Sequence, residues 1–376
     1  MTKQSSSRRS RRSSSATSNS QRVVLGGVTG VVLIVIVLCA QMVFGVDLLN
    51  TKSNATSVPE ATSIPGVTST PQAVPTTGGG GQTPAGSLVA IPGGYDGGWF
   101  QLYFTTPINT NDESRFTGSP LEAAVVALLD SATQTIDGAF FQLNSQPITD
   151  ALIRAKQRNV KVRVVTDGEY GQEAPDSTVD QLELAKIDVK SDGSRGAYMH
   201  DKFFVVDGAY VWTGSTNFTH NDIYNNNNNS MLIRSSRLAA DYTAAFEVLY
   251  AAKFSQNPVP PNPTVTVEGT QIEVFYSPGS GAPARLAELL SSAKSVQFMA
   301  YSFTQGLTWK DSSGKSNSIM DLLLQRQQSG QLDLMGIIEN TNRRFAKPLV
   351  CGGAQVRWDG NPDVLHHKVF IIDGST

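Results

Sequence analysis

Two short stretches of the chain hold the residues best suited to chemistry. His200, Lys202 and Asp207 stand as H-x-K-x-x-x-x-D, and His366, Lys368 and Asp373 repeat that spacing. The chain has four histidines in all, the others being His220 and His367. In each copy the residues between lysine and aspartate are apolar, Phe203 to Val206 and Val369 to Ile372, which predicts a strand. Residues i and i+2 of a strand point to one face, so imidazole and ammonium meet the same ligand. The set suits an anionic ester. The lysines would neutralise the non-bridging oxygens of a phosphodiester as phosphorus is attacked. A histidine of near-neutral pKa attacks phosphorus or shuttles a proton, and two histidines can divide those tasks. Asp207 and Asp373 are candidates for fixing an imidazole tautomer and favouring its charged form. After the first copy, Gly214-Ser215-Thr216-Asn217 offers Ser215 and Asn217 as donors to phosphate.

The plainer alternative is two buried strands that happen to contain His and Lys. Burying a cation without purpose is costly, and the coincidence would have to occur twice at corresponding places. His367 faces away from His366 on its strand and reads as structural or surface. His220, in a loop after Asn217, reads as polar surface or as support for the site. Asn225 to Asn229 is a low-complexity run that reads as a solvated turn. Asp167 and Glu339 end equivalent strands, where ligands bind in open α/β sheets and where helix caps also sit. Cys351, in a Cys-Gly-Gly turn, has no catalytic role.

Strands and helices alternate around these motifs. Phe100–Phe104, 135–143 and Lys161–Thr166 read as strands, with helices near 119–132 and 148–158. After the proline-rich stretch the same order returns. Strands are expected at 272–276, 295–303 and 332–338, and helices at 284–293 and 318–328. SPLEAAVVALLDSATQTIDGAFFQL matches APARLAELLSSAKSVQFMAYSF in pattern, and YMHDKFFVVDG pairs with VLHHKVFIIDG. Such an internal repeat points to duplication. Tandem copies packed about a pseudo-two-fold axis would bring the two histidines face to face.

A doubled H-x-K-x4-D with G-S-x-N after the first copy resembles the phospholipase D superfamily. The likeness covers roughly Gly98 to the C-terminus. The segment VWTGSTNFTHND and its Asn-rich continuation look most similar to bacterial endonuclease-like and cardiolipin-synthase-like members. The resemblance implies an α/β fold of two tandem α-β-α sandwich repeats with mixed sheets and one shared active site. It implies that His200 attacks phosphorus to form a phosphohistidine, and that His366 protonates the leaving alcohol and then activates water. Lys202, Lys368, Ser215 and Asn217 would hold the phosphoryl oxygens, Asp207 and Asp373 would complete the motifs, and no metal or other cofactor is needed. The substrate is a phospholipid or a nucleic-acid phosphodiester. Phosphatidyl transfer to an alcohol uses the same residues, and a non-catalytic surface-binding module is the reading of a different class. No protein partner is implied. The chain stops at Thr376, before a second G-S-x-N and its closing strand and helix, which reads as a fragment.

Composition sets the setting. Formal net charge is −2, but six basic residues precede the first acid, Asp47, leaving −8 downstream. No global basic field draws in nucleic acid, although a local patch still can. Residues 1–22 form a basic, disordered tail on the cytoplasmic side. Residues 23–46 carry no charge and are long enough for a membrane-spanning helix, with the catalytic part outside the cytoplasm. A cleaved signal peptide followed by secretion is the alternative. Residues 47–92 are a Thr/Ser/Pro/Gly-rich tether, 93–256 the first repeat, 257–268 a Pro-rich linker and 269–376 the second repeat. Cys39, inside the apolar run, and the distant Cys351 make neither a disulfide nor a structural zinc site.

Overall fold

The computed structural model describes residues 32–34, 88–193, 195–256, 258–277, 279 and 281–374. Within the apolar run 23–46 only Val32–Ile34 (β1) is described. It lies extended, antiparallel to the strand at Thr270–Phe275, and not as a turn of the expected membrane helix. The rest of that run, the basic tail and the tether up to residue 87 lie outside the described residues. Among the described residues no helix is long and apolar enough to cross a membrane.

The first half is built on a nine-stranded mixed sheet. Its strands are Val89–Ile91 (β2), Gly94–Asp96 (β3), Phe100–Phe104 (β4), Thr135–Phe140 (β5), Lys161–Thr166 (β6), Asp188–Ser191 (β7), Lys202–Val206 (β8), Tyr210–Gly214 (β9) and Asn229–Arg234 (β10). They lie in the order β2-β3-β4-β10-β9-β8-β5-β6-β7. The sheet therefore begins at Val89, a little before the expected boundary. β5, β6 and β7 are parallel, and β8 runs antiparallel to β5.

Helices Pro120–Ser131 (α1), Gln146–Gln157 (α2) and Val179–Leu184 (α3) cover one face, together with the short helix His220–Tyr224 (α4); Ser236–Tyr250 (α5) covers the other. β8 explains the two-sided cover: Phe204 and Val206 face the first layer, Phe203 and Val205 the second. Ser119 and Ser145 cap α1 and α2 through their hydroxyls, each with a proline in the first turn. Gly138 is needed in β5, because a Cβ there would meet the Phe204 ring at 2.7 Å.

The hairpin Thr264–Val267 (β11) and Thr270–Phe275 (β12) corrects one expectation. The strand at 272–276 does not open the second sheet; Val265, Ile272, Val274 and Tyr276 pack with Leu238, Tyr242 and Phe246 over the first half. The second half then follows as Ala282–Ser292 (α6), Ser295–Ala300 (β13), Thr308–Lys310 (β14), Ser316–Ser318 (β15), Ile319–Gln328 (α7), Asp333–Ile338 (β16), Arg343–Cys351 (α8), Gln355–Trp358 (β17) and Lys368–Ile372 (β18). Its sheet, β17-β16-β13-β18, has three parallel strands and an antiparallel β18. That is the order and sense of β7-β6-β5-β8, and so the duplication read in the sequence is present in the strands. The chain is an α/β protein with mixed sheets.

Candidate active site

Each H-x-K segment is held by the same set of contacts. Phe141, just past β5, donates its N–H to Asp201 O at 2.9 Å; Tyr301, just past β13, donates to His367 O at 2.9 Å. Lys202 Nζ donates to His200 O at 3.0 Å and Lys368 Nζ to His366 O at 2.7 Å. Both ammoniums also face these rings, Lys202 at 5.1 Å from the Phe141 centroid and Lys368 at 5.7 Å from that of Tyr301. His200 packs on Phe141 at 4.8 Å, and His366 meets Tyr301 edge-on at 5.7 Å.

Asp167 and Glu339 have matching double duties. Asp167 Oδ1 accepts from Tyr170 N at 2.8 Å, and its Oδ2 accepts from Met199 N at 2.9 Å. Glu339 Oε1 accepts from Thr341 N at 2.9 Å, and its Oε2 accepts from Leu365 N at 2.7 Å. One oxygen caps a helical turn while the other fastens the residue before the histidine.

Asn225 to Asn229 is not a solvated turn. Asn225, Asn226 and Asn228 are 3%, 6% and 0% exposed. The run stitches the second motif to the first half. Asn227 N donates to Val364 O at 2.8 Å, and His366 N donates to Asn227 O at 2.9 Å. Val364 N donates to Asn226 Oδ1 at 3.0 Å, and Asn361 Nδ2 to Asn227 Oδ1 at 2.7 Å. His367 Nδ1 lies 2.8 Å from Asn229 Oδ1, which gives this buried histidine the structural role expected of it. His220 begins α4, with its N–H donating to Asn144 Oδ1 at 2.8 Å, as a supporting residue.

The acid at a histidine is Asp222, not Asp207 or Asp373. His366 Nδ1 lies 3.3 Å from Asp222 Oδ1 and 3.0 Å from Asn228 Oδ1. Both neighbours accept, so Nδ1 carries the proton and Nε2 is left for chemistry. Asp207 and Asp373 stand at the far ends of β8 and β18. Asp207 accepts from Thr133 N, Gln134 N and Thr135 N at 2.9, 2.8 and 2.8 Å, and Asp373 from Lys294 N and Ser295 N at 2.7 and 2.8 Å. Both occupy the left-handed region, with φ of 51° and 52°, at tight turns that aspartate tolerates. A strand rises about 3.3 Å per residue, so these carboxylates lie on the order of 20 Å from the imidazoles of their own motifs. They fix the turn and the start of the neighbouring strand.

Asp222 is the residue the sequence reading missed. The available signal was Thr219-x-x-Asp222, a helix-start pattern in which Thr219 Oγ1 accepts from Asp222 N at 3.2 Å. Ser215 and Asn217 also serve this network. Ser215 Oγ donates to Asn228 Oδ1 at 2.8 Å and Asn217 Nδ2 to Asp222 Oδ2 at 2.6 Å. Asn226 Nδ2 and Asn228 Nδ2 donate to Asp222 Oδ1 at 3.1 and 2.7 Å.

Burial works to raise the Asp222 pKa, but the hydrogen bonds from His366, Asn226 and Asn217 outweigh it and hold the carboxylate well below its usual range. His200 is pushed far down by burial first, then by Lys202, Lys368 and His366, with Asp222 opposing. Lys368 and His366 come from the other half, so the two motifs share one electrostatic environment. Burial lowers His366 as well, against the pull of Asp222. Lys202 falls to about 8 through burial, opposed by Asp222 and other carboxylates. Lys368 falls to about 7 through desolvation and repulsion from Lys202, with Asp222 opposing. Two neutral imidazoles and two destabilised ammoniums share surroundings that an anion would stabilise.

A duplicated α/β unit whose two H-x-K strands share one electrostatic environment is the arrangement expected of the phospholipase D class. Residues 125–250 match the family model described as cardiolipin synthase, PLD-like domain. Over these residues the chain is similar to members of the phospholipase D superfamily. A mitochondrial cardiolipin hydrolase of Xenopus laevis is 36% identical over 134 residues, covering 36% of this chain and 62% of that protein. A phospholipase D of Rickettsia prowazekii (strain Madrid E) is 35% identical over 118 residues, covering 31% of this chain and 57% of that protein. A solved structure, the phospholipase D family member Nuc from Salmonella typhimurium, aligns with 41% of this chain and 94% of that one, at 25% identity and a TM-score of 0.35. The chain thus spans between half and two thirds of the curated relatives it matches here.

Proposed function

We propose that this chain is a phospholipase D-type phosphodiesterase that hydrolyses phospholipid diesters to phosphatidic acid through a covalent phosphohistidine. The observation that carries the reading is the contact of Asp222 with His366 Nδ1 across the two halves. It makes the two imidazoles of one cleft unequal. His200, set among cations, is held neutral, so its lone pair is available to phosphorus. On His366 a proton at Nε2 creates an imidazolium that Asp222 stabilises. An entering phosphodiester brings negative charge among the cations and offsets the repulsion that depresses His366, so His366 takes up that proton.

Attack by His200 then forms an N–P bond as the P–O bond to the alcohol breaks and His366 gives its proton to the departing oxygen. Water, deprotonated by His366, cleaves the N–P bond and frees His200. Lys202 and Lys368 hold the non-bridging oxygens. Phospholipid is supported by the acidic balance downstream of Asp47, which offers no global attraction to nucleic acid. Cardiolipin hydrolase and phospholipase D are also the names of relatives matched above.

One observation favours single-stranded nucleic acid instead. Tyr170 and Tyr198, 37% and 49% exposed, cluster with Phe141 beside His200, and exposed rings of this kind stack bases. The test is to incubate the full-length protein in chelator with phosphatidylcholine vesicles, cardiolipin vesicles and single-stranded DNA. Phosphatidic acid or its cardiolipin counterpart is expected, with no turnover by His200→Ala. Cleavage of DNA alone would transfer the reading to a nuclease. Undiminished turnover by His200→Ala would remove the mechanism.

A further inference from the structure

We propose that the rim formed by α8 and the end of β17 is a docking surface for an anionic phospholipid bilayer, placed so that the cleft meets its substrate at the lipid surface. The inference builds on the phospholipid reading above and adds the surface that would deliver that substrate. Residues 340–358 carry Arg343, Arg344, Lys347 and Arg357 and no acid, in a chain whose part downstream of Asp47 is otherwise acidic on balance. All four basic side chains are exposed.

The patch adjoins the cleft mouth. Asn342 Nδ2 donates to Tyr301 O at 2.7 Å, so α8 starts beside the residue whose ring meets His366. β17 runs parallel to β16, and Asp359 N donates to Ile338 O at 3.0 Å. Trp358 therefore ends its strand level with the Glu339 carboxylate that fastens Leu365. Of the four tryptophans Trp358 is the exposed one, at 39%, and Val350 on α8 is 40% exposed. Trp99 and Trp212 are buried and Trp309 is half-buried.

Basic side chains alone would serve any polyanion. An exposed indole and an aliphatic side chain beside them favour a bilayer, where the ring sits at headgroup depth while the cations meet lipid phosphates. Charge also gives the docking a direction. In the first half the exposed residues near the corresponding strand ends include Glu169, Glu173 and Asp176, which an anionic surface repels. The second half would therefore touch the lipid first.

The experiment uses the full-length protein in vesicles of phosphatidylcholine alone or mixed with phosphatidylglycerol, reading tryptophan quenching by brominated lipid. Quenching that needs phosphatidylglycerol, weakens with salt, and is lost in both Trp358→Phe and the double variant Arg343→Glu/Arg344→Glu is expected. Each basic residue near an anionic surface contributes about 1 kcal/mol, so loss of the two should weaken binding to the anionic vesicles by about thirtyfold, and the reversal of charge by more. Hydrolysis of soluble bis(p-nitrophenyl) phosphate by the double variant should stay at the wild-type rate, because neither arginine belongs to the cleft. Loss of that rate in the wild type would count against the catalytic reading, not the docking. Equal quenching in neutral vesicles, an unchanged response in the double variant, or protection of Trp358 by single-stranded DNA but not by vesicles would overturn the docking surface.

Discussion

The two kinds of aspartate near the motifs separate at the level of single residues. Asp222 acts on His366, whereas Asp207 closes a turn at the opposite end of β8. Asp222→Asn keeps the shape but removes the charge that stabilises imidazolium, so kcat should fall by about a hundredfold or more with little change in KM. Asp207→Asn keeps a residue tolerant of left-handed backbone and weakens charge-assisted bonds to three N–H groups. It should lower unfolding free energy by about 1–3 kcal/mol in urea while kcat stays within about threefold. The opposite pattern, with Asp207 controlling kcat and Asp222 only stability, would reverse the assignment. The histidines and lysines were legible because their types and spacing state their chemistry. The acid was not. Aspartate serves as cap, turn residue and proton partner alike, and only the approach of the second half shows which one reaches an imidazole.

At the level of elements the asparagine run is the joint between the halves. Asn228 alone receives Ser215 Oγ, gives Nδ2 to Asp222 and sits at His366 Nδ1. Asn228→Ala would leave buried polar groups without partners on both sides. We expect a loss of about 2–4 kcal/mol in urea unfolding together with a fall in kcat. Retained stability with full activity would show that the joint is carried elsewhere. Sequence reading found the alternating strands and helices because hydrophobic period and caps are local, and β6 and α2 lie close to where they were expected. It missed the joint, since a run of one polar residue type looks the same whether solvated or sewn into a boundary. It also left β11 in the linker and gave β12 to the second half, because strand pattern does not say which core a strand covers.

For the whole molecule, burial of uncharged histidines links stability to acidity. His367 is lowered to about 4 and His200 further, while an unfolded histidine titrates near 6.5. Between those values the unfolded chain binds more protons, so stability should fall as pH drops from about 6.5 toward 4, by about 2 kcal/mol per buried histidine at pH 5. Urea midpoints from pH 7 to 5 measure this, and a flat profile would contradict it. The two depressed lysines add a second sign. Lys202 and Lys368, lowered to about 8 and about 7, cost stability while charged, so inorganic phosphate, by pairing with the charged forms, should raise the midpoint most below about pH 7 and lose its effect as the lysines deprotonate. The central claim is that His200 is the nucleophile and His366 its acid and base. The most direct measurement is acid-quenched mass spectrometry of the His366→Asn variant with bis(p-nitrophenyl) phosphate, whose leaving group needs no proton. A phosphoryl adduct on the peptide containing His200, accumulating because its hydrolysis has lost its base, is the expected result. Continued turnover with no adduct on His200, or an adduct on His366 in the wild type, would contradict it.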